Sequence, residues 1–208
     1  DTAIKIFLVA APSLEHVLLE EAVELGFSSA EVVSGGVEFD GSWQDVWRAN
    51  LCLRGATRVL VRMGGFRAMH LAQLDKRSRK FPWGDFLRSD VPLRVERTTR
   101  KSRIYHAGAA TQRIERAINE TAGVEISQEA ELVLKVRIFD DFCTFSIDSS
   151  GPALHIRGHK EALNKAPMRE TLASLFLRQM GYDGTQAIVD PMCGSGTFPI
   201  EAAEHAAG

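Results

Sequence analysis

Apolar and polar positions along this chain fall into two rhythms, one of period two and one near 3.6, and their order predicts the architecture. Ile4-Lys5-Ile6-Phe7-Leu8-Val9 is rich in strand formers and stops at Ala11-Pro12. Leu14, Val17, Leu18, Ala22 and Leu25 then recur at helical spacing, with Ser13 as the expected N-cap and Gly26 as the stop. Glu31-Val32-Val33 and Val37-Glu38-Phe39 flank Gly35-Gly36, which predicts a hairpin. Ser42 caps a second predicted helix carrying Val46, Trp47 and Leu51, and Arg58 to Met63 reads as a further strand. The order β-α-β-β-α-β is that of a small ferredoxin-like domain.

A second module begins near Gly64. Helical spacing around Leu71, Leu74 and Phe81 leads to a strand at Pro92 to Glu96, and then to a longer helix with Ala107, Ala110, Ile114, Ala117 and Ile118 on one face. Leu132, Leu134, Val136 and Ile138 alternate with polar partners, as do Cys143, Phe145 and Ile147, so a strand pair is expected around a tight Asp140-Asp141 turn. After Gly151-Pro152 the character changes. Pro167 is placed to open a helix whose apolar stripe is Leu172, Leu175, Phe176 and Met180, ended by Gly181. Ala187-Ile188-Val189 reads as a short strand, followed by a glycine-rich turn and a helix from about Thr197.

Composition narrows the class. The 208 residues are 45% hydrophobic and 25% charged, with a net charge of −2, so the chain as a whole is not a basic nucleic-acid binder. The three cysteines, Cys52, Cys143 and Cys193, are far apart, and neither they nor the histidines show ligand spacing, so no metal is expected. The apolar run Ile4 to Ala11 is too short to cross a bilayer and has no basic lead, so no membrane association is expected and the protein reads as cytoplasmic.

Strand, Gly-rich turn and helix form the cofactor corner of doubly wound α/β folds, where glycines admit a ligand close to the backbone and a helix N-terminus offers unpaired N–H groups. No Gly-Lys-Ser/Thr follows, which excludes a Walker loop, and the third glycine of GxGxxG is absent. The whole string Asp190-Pro191-Met192-Cys193-Gly194-Ser195-Gly196-Thr197 resembles the first motif of class I S-adenosylmethionine-dependent methyltransferases acting on exocyclic amino groups of nucleic acids. Upstream, Leu154-His155-Ile156-Arg157-Gly158 and Ala166-Pro167-Met168-Arg169-Glu170-Thr171-Leu172-Ala173 look like the entry segment of bacterial ribosomal RNA guanine-N2 methyltransferases that carry a THUMP domain. The resemblance implies S-adenosyl-L-methionine as cofactor, held by Asp190, Pro191, Cys193, Gly194, Ser195, Gly196 and Thr197, with Pro167 and Thr171 nearby. Cys193 has an equal reading as a small packing residue.

A second candidate surface is electrostatic. Between Lys76 and Arg103 stand ten basic residues and three acidic ones, a net +7. Such a stretch suits phosphate contacts, and the interleaved Phe81, Trp83 and Phe86 could stack on unpaired bases, although a solvated charged face and a buried Trp83 explain the pattern as well. Lys101-Ser102-Arg103-Ile104-Tyr105-His106 running into the following helix resembles the signature of THUMP domains, which bind RNA. The RNA-binding set is then Lys76, Arg77, Arg79, Lys80, Arg100, Lys101, Arg103 and Tyr105.

The resulting fold class is α+β: an N-terminal ferredoxin-like domain over 1–64, a THUMP RNA-binding domain over 65–153, and over 154–208 a linker helix and the first β-α element of a Rossmann-like methyltransferase domain. The expected function is the RNA-docking part and first cofactor motif of an enzyme that methylates a guanine N2 amine, in 23S rRNA before transfer RNA. Alternatives are a transfer-RNA guanine-N2 methyltransferase, a stand-alone RNA-binding protein with a vestigial motif, and an adenine-N6 DNA methyltransferase. The family's Asn-Pro-Pro-aromatic loop occurs nowhere in the 208 residues. The expectation is therefore that no catalytic residue lies here, and that the chain is truncated after the first cofactor motif and inactive alone.

Overall fold

The computed structural model describes residues 3–104, 106–158, 160 and 167–208. They form two compact units, one of Asp1–Leu60 with Pro152–Gly208 and one of Val61–Gly151. Residues 1–60 and 154–208, which the sequence assigns to different domains, thus lie in one unit, while 61–64 fall in the other.

The first unit starts with β1 (Ile4–Val9), α1 (Glu15–Glu24), β2 (Glu31–Val33), β3 (Gly36–Gly41) and α2 (Trp43–Cys52), and includes the first residues of β4 (Val59–Arg67). Its strands lie in the order β2-β3-β1-β4, with β3 antiparallel to both β2 and β1. This is the ferredoxin-like order. Gly36 is required by the pairing: a Cβ there would stand 1.9 Å from the carbonyl oxygen of Leu8. Ile6, Leu8, Leu18, Val37 and Val46 are buried between sheet and helices, each apolar side chain stabilising the fold by about 1.5–3 kcal/mol. Two further helices, α5 (Glu170–Gln179) and α6 (Thr197–Ala207), complete the unit, with α5 against α1 and α6 against α5.

In the second unit α3 (Leu71–Ser78), β5 (Leu93–Arg100), α4 (Ala107–Ala122), β6 (Leu132–Phe139) and β7 (Phe142–Asp148) follow β4, with the strand order β4-β7-β6-β5. β5 and β6 are parallel, so α4 is the crossover between them; β6 and β7 are antiparallel. Asp140 and Asp141, at φ 48° and 59°, form the two-residue turn of that hairpin, the left-handed pair that a type I′ turn needs. The apolar face of α4 is as the spacing predicts, with Ala110, Ile114, Ala117 and Ile118 all at 0% exposure.

Several expectations need correction. Ser13 does not cap α1. It sits at φ 69° in a turn closed by Leu14 N–H to Ala11 O (3.1 Å), and the helix starts two residues later. On α2 the inward residues are Val46 and Ala49, while Trp47 and Leu51 face solvent along with Trp43. Both outward residues sit on the far side of the helix from the sheet, which contacts only a narrow stripe. α5 begins at Glu170, so Pro167 precedes it, and its inward residues are Thr171, Ala173, Leu175 and Leu177, with Met180 exposed. β4 runs past Gly64 to Arg67, because Gly65 lets the strand approach β7: a Cβ there would be 2.2 Å from the Cys143 carbonyl oxygen. Ala187–Val189 forms no strand. A strand exists only through a hydrogen-bonded partner, and none is present for it among the described residues. Trp83 is core rather than a stacking platform, 1% exposed, with its indole N–H donating to Ser78 O at 2.7 Å.

Candidate functional site

The glycine-rich loop is shaped by local chemistry. Asp190 Oδ1 accepts the N–H of Met192 at 3.0 Å, an Asx turn that bends the chain after Val189. Gly196 N–H then bonds to Cys193 O at 2.8 Å. Gly194 and Gly196 have φ 56° and 79°, the left-handed region that a side chain resists. Gly196 is the N-cap of α6 and provides no side-chain cap, so the first N–H groups of the helix face the loop without a side-chain acceptor. This is the anion-receptive geometry that a carboxylate or phosphate uses.

The structure brings part of the expected cofactor set together. Pro191, Cys193 and Gly194 are exposed, Asp190, Ser195 and Gly196 half-buried. Thr197 is buried and its hydroxyl donates to Met168 O at 3.2 Å, which joins the loop to the entry segment beside Pro167. Thr171 is 3% exposed on the inward face of α5, where it packs rather than presents its hydroxyl. Pro167, Met168 and Arg169 line a cavity of about 350 Å³ with His155, Arg157 and Lys160. There burial, reinforced by the Arg169 charge, pulls the His155 imidazole below its usual pKa. These residues fit the methionine end of a nucleoside cofactor: an open, Cβ-free stretch at Gly194, a helix N-terminus for a carboxylate, and Asp190 Oδ2 without a hydrogen bond among the described residues.

In the second unit the Asp140-Asp141 turn gathers the basic residues. Asp141 Oδ1 accepts the Arg103 N–H at 2.8 Å, and Arg103 Nε stands 3.6 Å from Asp141 Oδ2. Arg100 O accepts from Asp140 N (3.3 Å), and Lys101, at φ 51°, holds its Nζ 5.8 Å from the centre of the Phe139 ring. Arg67 donates to Asp140 O at 2.9 Å, and the Arg77 guanidinium donates to Arg67 O. Lys76, Arg77 and Lys80 line a shallow hollow with His70 on α3. Arg79 is engaged elsewhere, paired to Asp75 at 3.1 Å and to Glu120. Tyr105 lies outside the described residues.

Two basic residues were not foreseen. Arg67 reaches the cluster from the end of β4, and Arg137 lies 4.9 Å from the Phe139 ring centre in a groove with Thr98, Thr99 and Arg100. Both stand outside the charge run, and only the hairpin brings them to it. Among the described residues no group of three or more His, Cys, Asp and Glu side chains is placed to hold a metal ion, and no helix is long and apolar enough to cross a membrane.

Two family matches fall on the two segments of the first unit. Residues 5–60 match the family described as RlmL ferredoxin-like domain, and residues 157–207 match that described as RMKL-like, methyltransferase domain. The "Putative RNA methyltransferase slr0064" of Synechocystis sp. is 31% identical over 94% of this chain and 53% of its own length. The Ribosomal RNA large subunit methyltransferase K/L of Psychromonas ingrahamii is 30% identical over 95% of this chain and 27% of its own length. The chain thus spans about half, or less, of the curated relatives it matches. Among solved structures, a predicted N6-adenine-specific DNA methylase from Listeria monocytogenes superposes with a TM-score of 0.88 at 31% identity, covering 99% of this chain and 56% of that one. SMU.472, complexed with SAH, superposes with a TM-score of 0.85 at 26% identity, covering 98% of this chain and 55% of that one.

Proposed function

We propose that this chain is the RNA-docking part and the first cofactor-binding element of an S-adenosylmethionine-dependent RNA methyltransferase acting on a guanine N2 amine of large-subunit ribosomal RNA. The observation that carries the reading is the open loop from Asp190 to Gly196 at the uncapped N-terminus of α6, tied to the entry segment through Thr197 and Met168. The RMKL-like match over residues 157–207 and the similarity to SMU.472, complexed with SAH, support the cofactor. The ribosomal K/L relatives support the substrate.

When bound, the cofactor supplies an electrophilic methyl group. The chain's own residues bind and orient. Asp190 would offer a carboxylate to the cofactor's ammonium group, the first N–H groups of α6 would take its carboxylate, and Gly194 and Gly196 would keep the approach clear. Rate enhancement in such a transfer comes mostly from holding the acceptor amine in line with the methyl group. The basic cluster around Asp140-Asp141, with Arg67, Arg77, Arg100, Lys101 and Arg103, docks RNA through its phosphates as a THUMP-like surface.

Calorimetric titration of the full chain with SAH tests the cofactor reading. Asp190→Asn preserves an acceptor for Met192 N–H and removes only the charge, so it is expected to weaken SAH about tenfold or more while leaving the unfolding midpoint in place. No measurable SAH binding by the wild type overturns the reading. A second reading, adenine-N6 methylation of DNA, is favoured by the description of the Listeria protein alone. Competition binding of ribosomal RNA, transfer RNA and duplex DNA separates the two, with preference for DNA excluding the first.

A further inference from the structure

The ferredoxin-like module has no part in the cofactor site on sequence grounds, yet the structure runs a buried ionic link from it to the helix that carries the loop. Glu21 of α1, 4% exposed, accepts the backbone N–H groups of Arg54 (2.7 Å) and Gly55 (2.9 Å) through its two oxygens. This fixes the turn after α2. A Cβ at Gly55 would meet Leu175 at 2.4 Å, so α5 packs directly on the same turn. Arg54 then extends its guanidinium to α6, where it contacts Glu201 Oε2 at 3.0 Å and also Glu204. Arg157 of the entry segment closes the group, reaching Glu201 Oε2 at 3.1 Å and donating to Arg54 O at 2.7 Å.

Glu201 is 1% exposed, and burial outweighs the two guanidiniums in setting its carboxyl above the usual range. Its Oε1 has no hydrogen-bond partner among the described residues. A carboxylate so placed costs the fold unless Arg54 and Arg157 stay on it, so the geometry of the cluster is held tightly. Thr197 and Glu201 stand four residues apart and share the inward face of α6. Any roll of the helix that frees Glu201 therefore swings Thr197 off Met168 and moves the loop at Gly194 and Gly196. The loop contains no regular structure of its own, so its position follows that of the helix.

We propose that Arg54 is a positioning residue for the glycine-rich loop: through Glu201 and Arg157, the ferredoxin-like module sets the orientation of α6 and with it the affinity for cofactor. The proposal rests on the cofactor reading above for its affinity arm only.

The experiment compares wild type, Arg54→Met, Glu201→Gln and the double variant as full chains, by amide hydrogen exchange over residues 193–200 and by SAH calorimetry. Arg54→Met is expected to speed exchange in the loop about tenfold and weaken SAH by a similar factor, with ribosomal RNA affinity unchanged. In the Glu201→Gln background Arg54→Met is expected to add clearly less than it does alone, the remainder being its contact with Glu204. Arg54→Lys, which returns a single charge without the fork, is expected to recover part of the loss. If Arg54→Met does not fold, Arg54→Lys carries the same comparison. Unchanged exchange over 193–200 in a folded Arg54 variant, or full additivity with Glu201→Gln, overturns the proposal. A wild type that ignores SAH refutes the cofactor reading instead, while the exchange arm still decides the link.

Discussion

Glu21→Gln isolates the base of that buried link, and its cost follows from the contacts. The carboxylate takes two backbone N–H groups, from Arg54 at 2.7 Å and Gly55 at 2.9 Å, in a site only 4% exposed. A glutamine of the same shape can accept one of them with its carbonyl oxygen. Its amide nitrogen then faces the other N–H, donor against donor. One charge-assisted bond, about 1.5–3 kcal/mol, is lost outright, and the surviving one drops to neutral strength, about 1 kcal/mol less. The expected loss is about 3 kcal/mol, a large part of a marginal folding free energy. Urea unfolding followed by circular dichroism measures it, with Glu20→Gln as the control: Glu20 is exposed on the same helix, and the charge change is identical. A difference between the two variants below about 1 kcal/mol would show that the turn at 54–55 is held by other means, and would refute the reasoning.

Three further outcomes are expected. Changing Arg100, Lys101 and Arg103 together to Gln weakens RNA and makes the salt dependence shallower by about 2 in log–log slope for a single strand, while Arg79→Gln, already paired to Asp75 and Glu120, leaves the slope alone; equal slopes for both variants count against the cluster. A thiol reagent labels Cys52 and Cys193 in the native protein but reaches Cys143 only on unfolding, since burial pushes that thiol up to about 11, and SAH slows labelling at Cys193 alone; mass spectrometry of the labelled peptides checks it. The Asp45 carboxyl is held below its usual range, first by the Ser42 backbone N–H and then by the Ser42 hydroxyl. Its capping contribution is therefore full above the ordinary carboxylate pKa and lost as pH falls through the lowered one. Asp45→Asn should cost about 0.5–1 kcal/mol in thermal melts at pH 7 and nothing at strongly acidic pH.

What the sequence made legible was what is local. Ser42 was legible as a cap, and the structure adds Asp45 as its reciprocal partner in a capping box. The glycine-rich turn at 194–196 and the tight turn at Asp140-Asp141 were local too, and Gly194, Gly196, Asp140 and Asp141 all have left-handed backbone. Faces were read less well. Of the expected stripe on α2 only Val46 turns inward, joined by Ala49, because which side of the helix is buried depends on the sheet beneath it and not on the spacing of Trp47 and Leu51. The strand expected at Ala187–Val189 is absent for the same reason, since its propensity has no partner among the described residues. Glu21, Arg54 and Glu201 gave no signal, and Arg157 only as part of the entry segment: charges 33 to 147 residues apart meet only through tertiary structure. Arg67 joined the basic cluster by the same route, across the turn rather than along the run.

The discontinuity of the first unit bears on how the chain is made. Residues 1–60 leave the ribosome more than a hundred residues before α5, which covers α1 and begins at Glu170. At ordinary elongation rates the interval is on the order of ten seconds, long on the scale of helix or hairpin formation. The unit of Val61–Gly151, contiguous in sequence, can finish folding within it. During that wait Glu21 already has Arg54 and Gly55 at hand, while Leu18 and Ala22 of α1 have only the small sheet for cover. Until α5 emerges, the side of α1 that it covers stays open, and slow codons placed after residue 151 would lengthen that exposure.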